Sequence, residues 1–417
     1  MNYRDFDLKL SGDLPAGCLV EVLASPIQRR SDPVSLRLPP RLTDWQNNLQ
    51  PGGFEREWAK ALGMELFNAL FPSPIRSLLD ESRALAGVED VLRLRLDIRT
   101  PELSDIPWEL IHDGQFHLAL QRQSAIVRYL KDHHATNPVR EIRSPNILLV
   151  VSLPNNAAHL PAIEREVSHI EDSVKDLIAA QKIGRLDILR RTTLPKLQRK
   201  LREHPYHVLH YMGHGGVSHD EGFLALEDEG GNTCWIDAER LSYFFRVTPL
   251  QLLVLNACQT AVTPQKNAVL GVAQSALAAG IPAVVAMQAK IKDEHAAAFA
   301  HEFYLSLAEG CALEWCMAEG RKAIVARSTL DRLDWIIPVL FSSTLDGHVW
   351  KLSGPEKQPE EKAPTEHVTP HQRNNHVNLK DSTAGQIIQV QGDGAVIGKE
   401  VHQTFYGESS PTDRKRK

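Results

Sequence analysis

The chain has 417 residues, enough for two or three domains, and its 42% hydrophobic and 24% charged residues are ordinary for a globular protein. A net charge of −5 and a pI of about 6.4 argue against a dedicated nucleic-acid binder. No apolar run reaches the roughly 20 residues of a membrane span. MNYRDFDLKL has no apolar signal core, and five irregularly spaced cysteines make no disulfide framework, which points to a reducing cytoplasm.

Residues 1–50 read as short strands and loops. Phe54, Trp58, Leu62, Leu66 and Leu70 then recur at i, i+4 and predict one helix, broken at Pro72 and Pro74. A second helix runs as far as Gly87. VLRLRLDI (91–98) alternates Leu with Arg, as a half-exposed strand does. FHLALQRQ and AIVRYL read as two more short strands. DHHATNPVREIRSP (132–145) is polar and aperiodic, and a domain boundary is placed here, at 140/141. NILLVVSLP is a continuous apolar run, suited to a central parallel strand. A helix from Pro161 to about Lys182 follows, then the strand LDILRR and the helix TLPKLQRKLREH. Strands alternating with helices predict a parallel sheet with right-handed crossovers.

The apolar run Val208, Leu209, Tyr211, Met212 then delivers His214 between Gly213 and Gly215. A hairpin is predicted over 220–237. The run Leu250 to Leu255 next delivers Asn256, Ala257 and Cys258. In an open α/β sheet the working groups lie past the carboxyl ends of the strands, so His214 and Cys258 are candidates for base and nucleophile. Cys258 could instead be a buried structural thiol, and His214 a satisfied loop histidine. His210, on the strand itself, reads as structural. His210 and His214 form an H-x3-H pair, but no Glu intervenes and the context is a strand, so no metal is expected.

Further on, NAVLGVAQSALAAG predicts a helix ending at Gly280, IPAVVAMQ a buried strand, residues 293–310 a long helix, ALEWCMAEGRKAIVA another, and DWIIPVLFSS a final strand. After about Leu352 the chain turns rich in Pro, Glu, Lys and Gln. Residues 353–380 read as a disordered linker. Residues 381–417 read as a short β tail, too small for its own core and suited to pairing with a partner or with itself.

The motifs HYMGHGG, LLVLNACQTA, GIPAVVAMQ, EFYLSLAEG and DWIIPVLF occur in the order in which they stand in the CHAT family, and the chain resembles that family of caspase-like cysteine peptidases over roughly 90–350. The resemblance implies an α/β fold, a caspase-like three-layer sandwich with a mostly parallel central sheet over 141–352, without a cofactor. Residues 1–140 would be a smaller α/β region, on fold analogy a catalytically dead half. It implies a His214–Cys258 dyad, with the backbone N–H groups of Gly215 and Cys258 as oxyanion donors. Asp293 matches an acidic position of the pocket for the residue before the scissile bond; the alternative is a helix N-cap. Arg321 matches a frequent family position, with helix-surface salt bridging as its expected role. The resemblance implies an endopeptidase acting on protein, a regulated effector of bacterial defence or programmed death. Its activator or sensor protein would bind through the tail, with no direct nucleic-acid or membrane contact. The competing readings are a catalytically silent scaffold and a thiol acyltransferase.

Overall fold

The computed structural model describes residues 2–13, 17–45, 56–87, 90–129, 139–160, 163–218, 221–245, 248–259, 268–328 and 332–353. The linker and tail expected at 353–380 and 381–417 lie, from residue 354 on, outside the described residues.

The N-terminal region pairs β1 (Asn2–Asp13) antiparallel with β2 (Gly17–Ala24), and β2 with β3 (Val34–Leu36). The stripe from Trp58 to Leu70 forms α1 (Arg56–Leu70), and α2 (Ser73–Leu85) starts after Pro72, whose fixed φ suits an extended cap. β4 (Asp90–Ile98) lies parallel to β1 and to β5 (Ser124–Tyr129).

Two expectations need correction here. The Arg side of VLRLRLDI is not half-exposed to water. Arg93 is 0% exposed, because the parallel register sets Asp5 beside Arg93 and Asp7 beside Arg95. Arg93 donates to Asp5 at 2.7 Å and to Glu314 at 3.0 Å, and Arg95 to Asp7 at 2.6 Å. Opposite charges directly across a ladder replace the water that alternation alone suggests. FHLALQRQ is not a strand either. Leu118–Leu120 closes a 3-10 turn, and His117 bridges back to His112.

After β6 (Arg140–Ile142), a repeated strand–helix pattern builds the second half. It runs β7 (Asn146–Val151), α3 (Ile163–Ala179), β8 (Arg185–Arg190), α4 (Leu194–Glu203) and β9 (Val208–Ser218). The predicted hairpin is β10 (Glu221–Glu227) and β11 (Thr233–Asp237), turning at Gly231 with φ +80°. α5 (Ala238–Phe245), β12 (Leu252–Gln259), α6 (Ala268–Ala278), β13 (Ala283–Met287), α7 (Asp293–Ala308), α8 (Leu313–Arg327) and β14 (Pro338–Ser342) complete it. The final strand is shorter than DWIIPVLFSS suggests, because Asp334–Ile336 forms a 3-10 turn, with Asp334 held to His295 at 2.8 Å.

The strand order β8-β7-β9-β12-β13-β14 continues through the β14–β5 pairing into β5-β4-β1-β2-β3. The two regions expected on either side of residue 140 therefore share one large, mostly parallel sheet. β15 (Trp350–Leu352) pairs apart from it with β6. Helices α3, α7 and α8 supply Val167, Ile170, Phe299, Phe303 and Ile324 to one core layer, with Val208, Met212, Leu252 and Val254 from the sheet. On the opposite face, α4, α5 and α6 pack Leu201, Phe245 and Val272 on Leu209, Tyr211, Leu253 and Leu255. The chain is thus a three-layer α/β sandwich, with helices on both sides of a parallel sheet as apolar strands require.

Candidate active site

The site grows from the edge of β9. Up to Met212, β9 is flanked by β12 on one edge and β7 on the other. β7 ends at Val151, and from Gly215 onward β10 takes over that edge. Gly213 and His214 fall in the interval between the two partners. Chain order reverses here, with β8 placed to one side of β7 and β9 to the other, which is where an open α/β sheet forms its crevice.

Local chemistry fixes the His214 peptide. A Cβ on Gly213 would stand 2.5 Å from the Tyr211 hydroxyl and 2.8 Å from the Ser152 carbonyl. The missing side chain lets the Tyr211 hydroxyl reach the carbonyl oxygens of His214 (2.9 Å) and Ala225 (2.8 Å), sharing its proton between them. His214 is 1% exposed, and among the described residues neither ring nitrogen makes a well-formed hydrogen bond, although the backbone of Ala158 lies within its reach. Burial lowers its pKa, while the backbone of Ala158 acts the other way. A neutral imidazole with a free nitrogen can accept a proton.

The β9–β12 register pairs His214 with Cys258, and Gly215 with Gln259. Neighbouring strands lie about 4.8 Å apart, so the backbones of the two candidate residues are neighbours across the ladder. The parity of side chains puts Met212 and His214 on the α3/α7 face, and Val254 and Asn256 on the same one.

Asp293 is the first residue of α7, and the residue at the N-cap position is Lys292, so the N-cap alternative does not hold. Its carboxylate meets the 72%-exposed Arg165 at 3.4 Å. Beside it sits Glu166, on the first turn of α3 and buried. Asn256 donates to Glu166, two residues before Cys258. Burial, reinforced by the Asp293 charge and opposed by the Asn256 hydrogen bond, pushes the Glu166 carboxyl up to about 7. The fold therefore brings His214, the Cys258 backbone, Asn256, Glu166 and Asp293 to one end of the sheet. Glu166 was not singled out from sequence. Its signal was an acid three residues after Ile163, on the apolar stripe Ile163, Val167, Ile170, Val174.

His210 is buried, with Nδ1 2.8 Å from the Tyr304 hydroxyl, and burial alone lowers it to about 3. It is a structural residue, as expected. Arg321 departs from expectation. It is buried, not on the helix surface, and donates to the carbonyls of Ala119 and Pro338 at 3.3 and 2.8 Å. Among the described residues there is no group of three or more metal-ligating side chains, and no helix is long and apolar enough to cross a membrane.

No curated protein matches the chain. Among solved structures, two of the Saccharomyces cerevisiae separase–securin complex are similar. One, at 2.6 Å resolution, has a TM-score of 0.45 and 13% identity over 81% of this chain and 30% of that one. The other, at 3.0 Å, has a TM-score of 0.40 and 16% identity over 67% and 17%. The Arg-specific cysteine proteinase gingipain R is similar at a TM-score of 0.44, with 10% identity over 74% of this chain and 76% of that one. This chain thus spans less than a third of the separase chains it matches. The family model of the CHAT domain matches residues 60–359, which is 300 of the 417 residues, and the chain belongs to the CHAT domain family.

Proposed function

We propose that the chain is a cysteine endopeptidase in which His214 and Cys258 act as a dyad. The observation that carries this reading is the register of β9 on β12, which sets the backbones of the two residues side by side near the end of their parallel pairing. It does so where the other edge of β9 is open. His214 takes the Cys258 thiol proton, and the thiolate adds to the carbonyl carbon. The N–H groups of Gly215 and Cys258 hold the oxyanion. The intermediate collapses to a thioester as His214 protonates the departing amine. Water, giving a proton to His214, then releases the acid and restores the thiol.

Asp293 and Glu166 form the pocket for the residue before the cut, which favours Lys or Arg there. The Arg165 guanidinium on Asp293 is a resident stand-in for such a side chain. The enzyme is a regulated effector of a bacterial defence or programmed-death system, engaged by an activator protein through the C-terminal tail. That His214 is 1% exposed supports a resting state closed to substrate. The unpaired thiols of Cys18, Cys234, Cys311 and Cys316 support a cytoplasmic setting.

The test compares wild type with Cys258→Ala in a cell extract, reading new N-termini by mass spectrometry. Cuts made by wild type alone, following a shared basic residue, are the expected result. Equal cutting by Cys258→Ala would sink the assignment.

A further inference from the structure

Resting on the peptidase reading, we propose that Trp235 forms a subsite for the segment that leaves, binding a ring-bearing side chain (aromatic or proline) at the first or second residue after the cut bond. Gly216 stands two residues beyond His214 on β9 and so shares its face of the sheet. A Cβ on Gly216 would meet Trp235 ring carbons at 3.1 and 3.2 Å. The indole of β11 thus reaches across β10 and lies over the backbone next to His214. Phe223 pairs opposite Gly216, and Ala225 opposite Trp235, on that same face. Despite these contacts Trp235 is 44% exposed. A large aromatic ring left open beside a glycine offers a flat apolar surface.

The order across the sheet says which part of a substrate meets it. Cys258 holds the acyl carbon, His214 gives its proton to the amine, and Trp235 lies on the far side of His214 from Cys258. Whatever extends past the imidazole is therefore the amine side of the peptide. Two residues of strand from His214 to Gly216 span about 7 Å, the reach of two residues of extended substrate.

The full chain would be given a peptide library that varies the two positions after a basic residue, with cleavage followed by mass spectrometry. Wild type should prefer Phe, Tyr, Trp or Pro over Ala there by about 3- to 10-fold in kcat/KM, the range expected of aromatic contacts. Trp235→Ala should lose that preference, its kcat/KM falling about 3- to 10-fold further on the ring-bearing peptides than on the Ala-Ala peptide, and Trp235→Phe should keep it. Cysteine-dependent cleavage with no ring preference, or with one unchanged in Trp235→Ala, overturns the subsite and leaves the peptidase standing. An equal loss on every peptide in Trp235→Ala marks a merely structural ring and also overturns it. No Cys258-dependent cleavage by wild type overturns the peptidase reading, and the subsite with it.

Discussion

The residue at the crevice with the least to offer chemically, Gly213, does the most to hold its shape. A methyl group there would collide with the hydroxyl of Tyr211 and the carbonyl of Ser152, and both residues are fully buried, with no room to retreat. Gly213→Ala should therefore cost about 1–3 kcal/mol in a denaturant titration and slow cleavage as the His214 peptide shifts. An unchanged midpoint would show that the strand yields. Glu166 offers a second test. With its carboxyl near 7, it passes from neutral to charged between about pH 6 and 8, so any preference for Lys or Arg before the cut should strengthen as pH rises. Glu166→Gln should flatten that dependence, seen as the ratio of kcat/KM for basic over neutral substrates. At this scale the apolar runs are legible as strands, but not where they stop: β9 continues past His214 to Ser218, and β12 runs to Gln259, because the β10 hairpin and β12 extend the ladder. His214, Gly215 and Cys258 follow apolar runs that announce their place. Glu166 was hidden because an acid on a helix is read as solvated until the opposing strand is known to bring Asn256 against it.

At the scale of the element, helices were read well, and the misreadings fell on short strands. The stripes ending at Leu70, Leu85 and Ala278 became helices, since a 3.6-residue period is local information. Alternation in β4 gave the strand but not the environment of its polar face. Whether an arginine meets water or a carboxylate depends on β1, some 88 residues away, and on Glu314 in α8. Buried ion pairs penalise the removal of one partner. Arg93→Ala leaves the buried Glu314 without its guanidinium and Asp5 with Arg95 alone, and should destabilise the chain by about 3–5 kcal/mol. Retention of the wild-type unfolding midpoint would mean that Glu314 finds another donor.

Across the whole molecule, one sheet and its seam join the regions on either side of residue 140. Arg128 on β5 pairs with Glu109 at 3.0 Å and reaches Gln288 past β13 at 3.4 Å. A shared sheet of this width was not legible, because β5–β14 pairing joins strands over 200 residues apart in sequence. Buried histidines contribute to the pH response of the unit Met1–Glu356 that holds this sheet. Burial lowers His117 and His207 to about 4, and His210 to about 3. Below about pH 6.5 the unfolded chain binds protons that the folded one refuses. Each of these groups then withdraws up to about 1.4 kcal/mol of stability per pH unit until its folded pKa is reached. Glu166, raised to about 7, acts with the opposite sign between there and its ordinary value near 4.5. The melting temperature should fall from pH 6.5 to 4.5, and more steeply in Glu166→Gln. A flat profile in calorimetry would contradict this balance.

The change of partner along β9 has a mechanical meaning. Up to Met212 the strand is clamped on both edges, while from Gly215 one edge belongs to the β10–β11 hairpin alone. The Gly213–His214 peptide is then a splice, the point at which the strand passes from one supporting edge to the next. Beyond it the hairpin is tied back to the β7 side, since the Asn155 N–H donates to the Gly231 carbonyl and the Glu227 N–H to that of Thr192, each at 2.8 Å, so the imidazole stands at a joint braced from both sides.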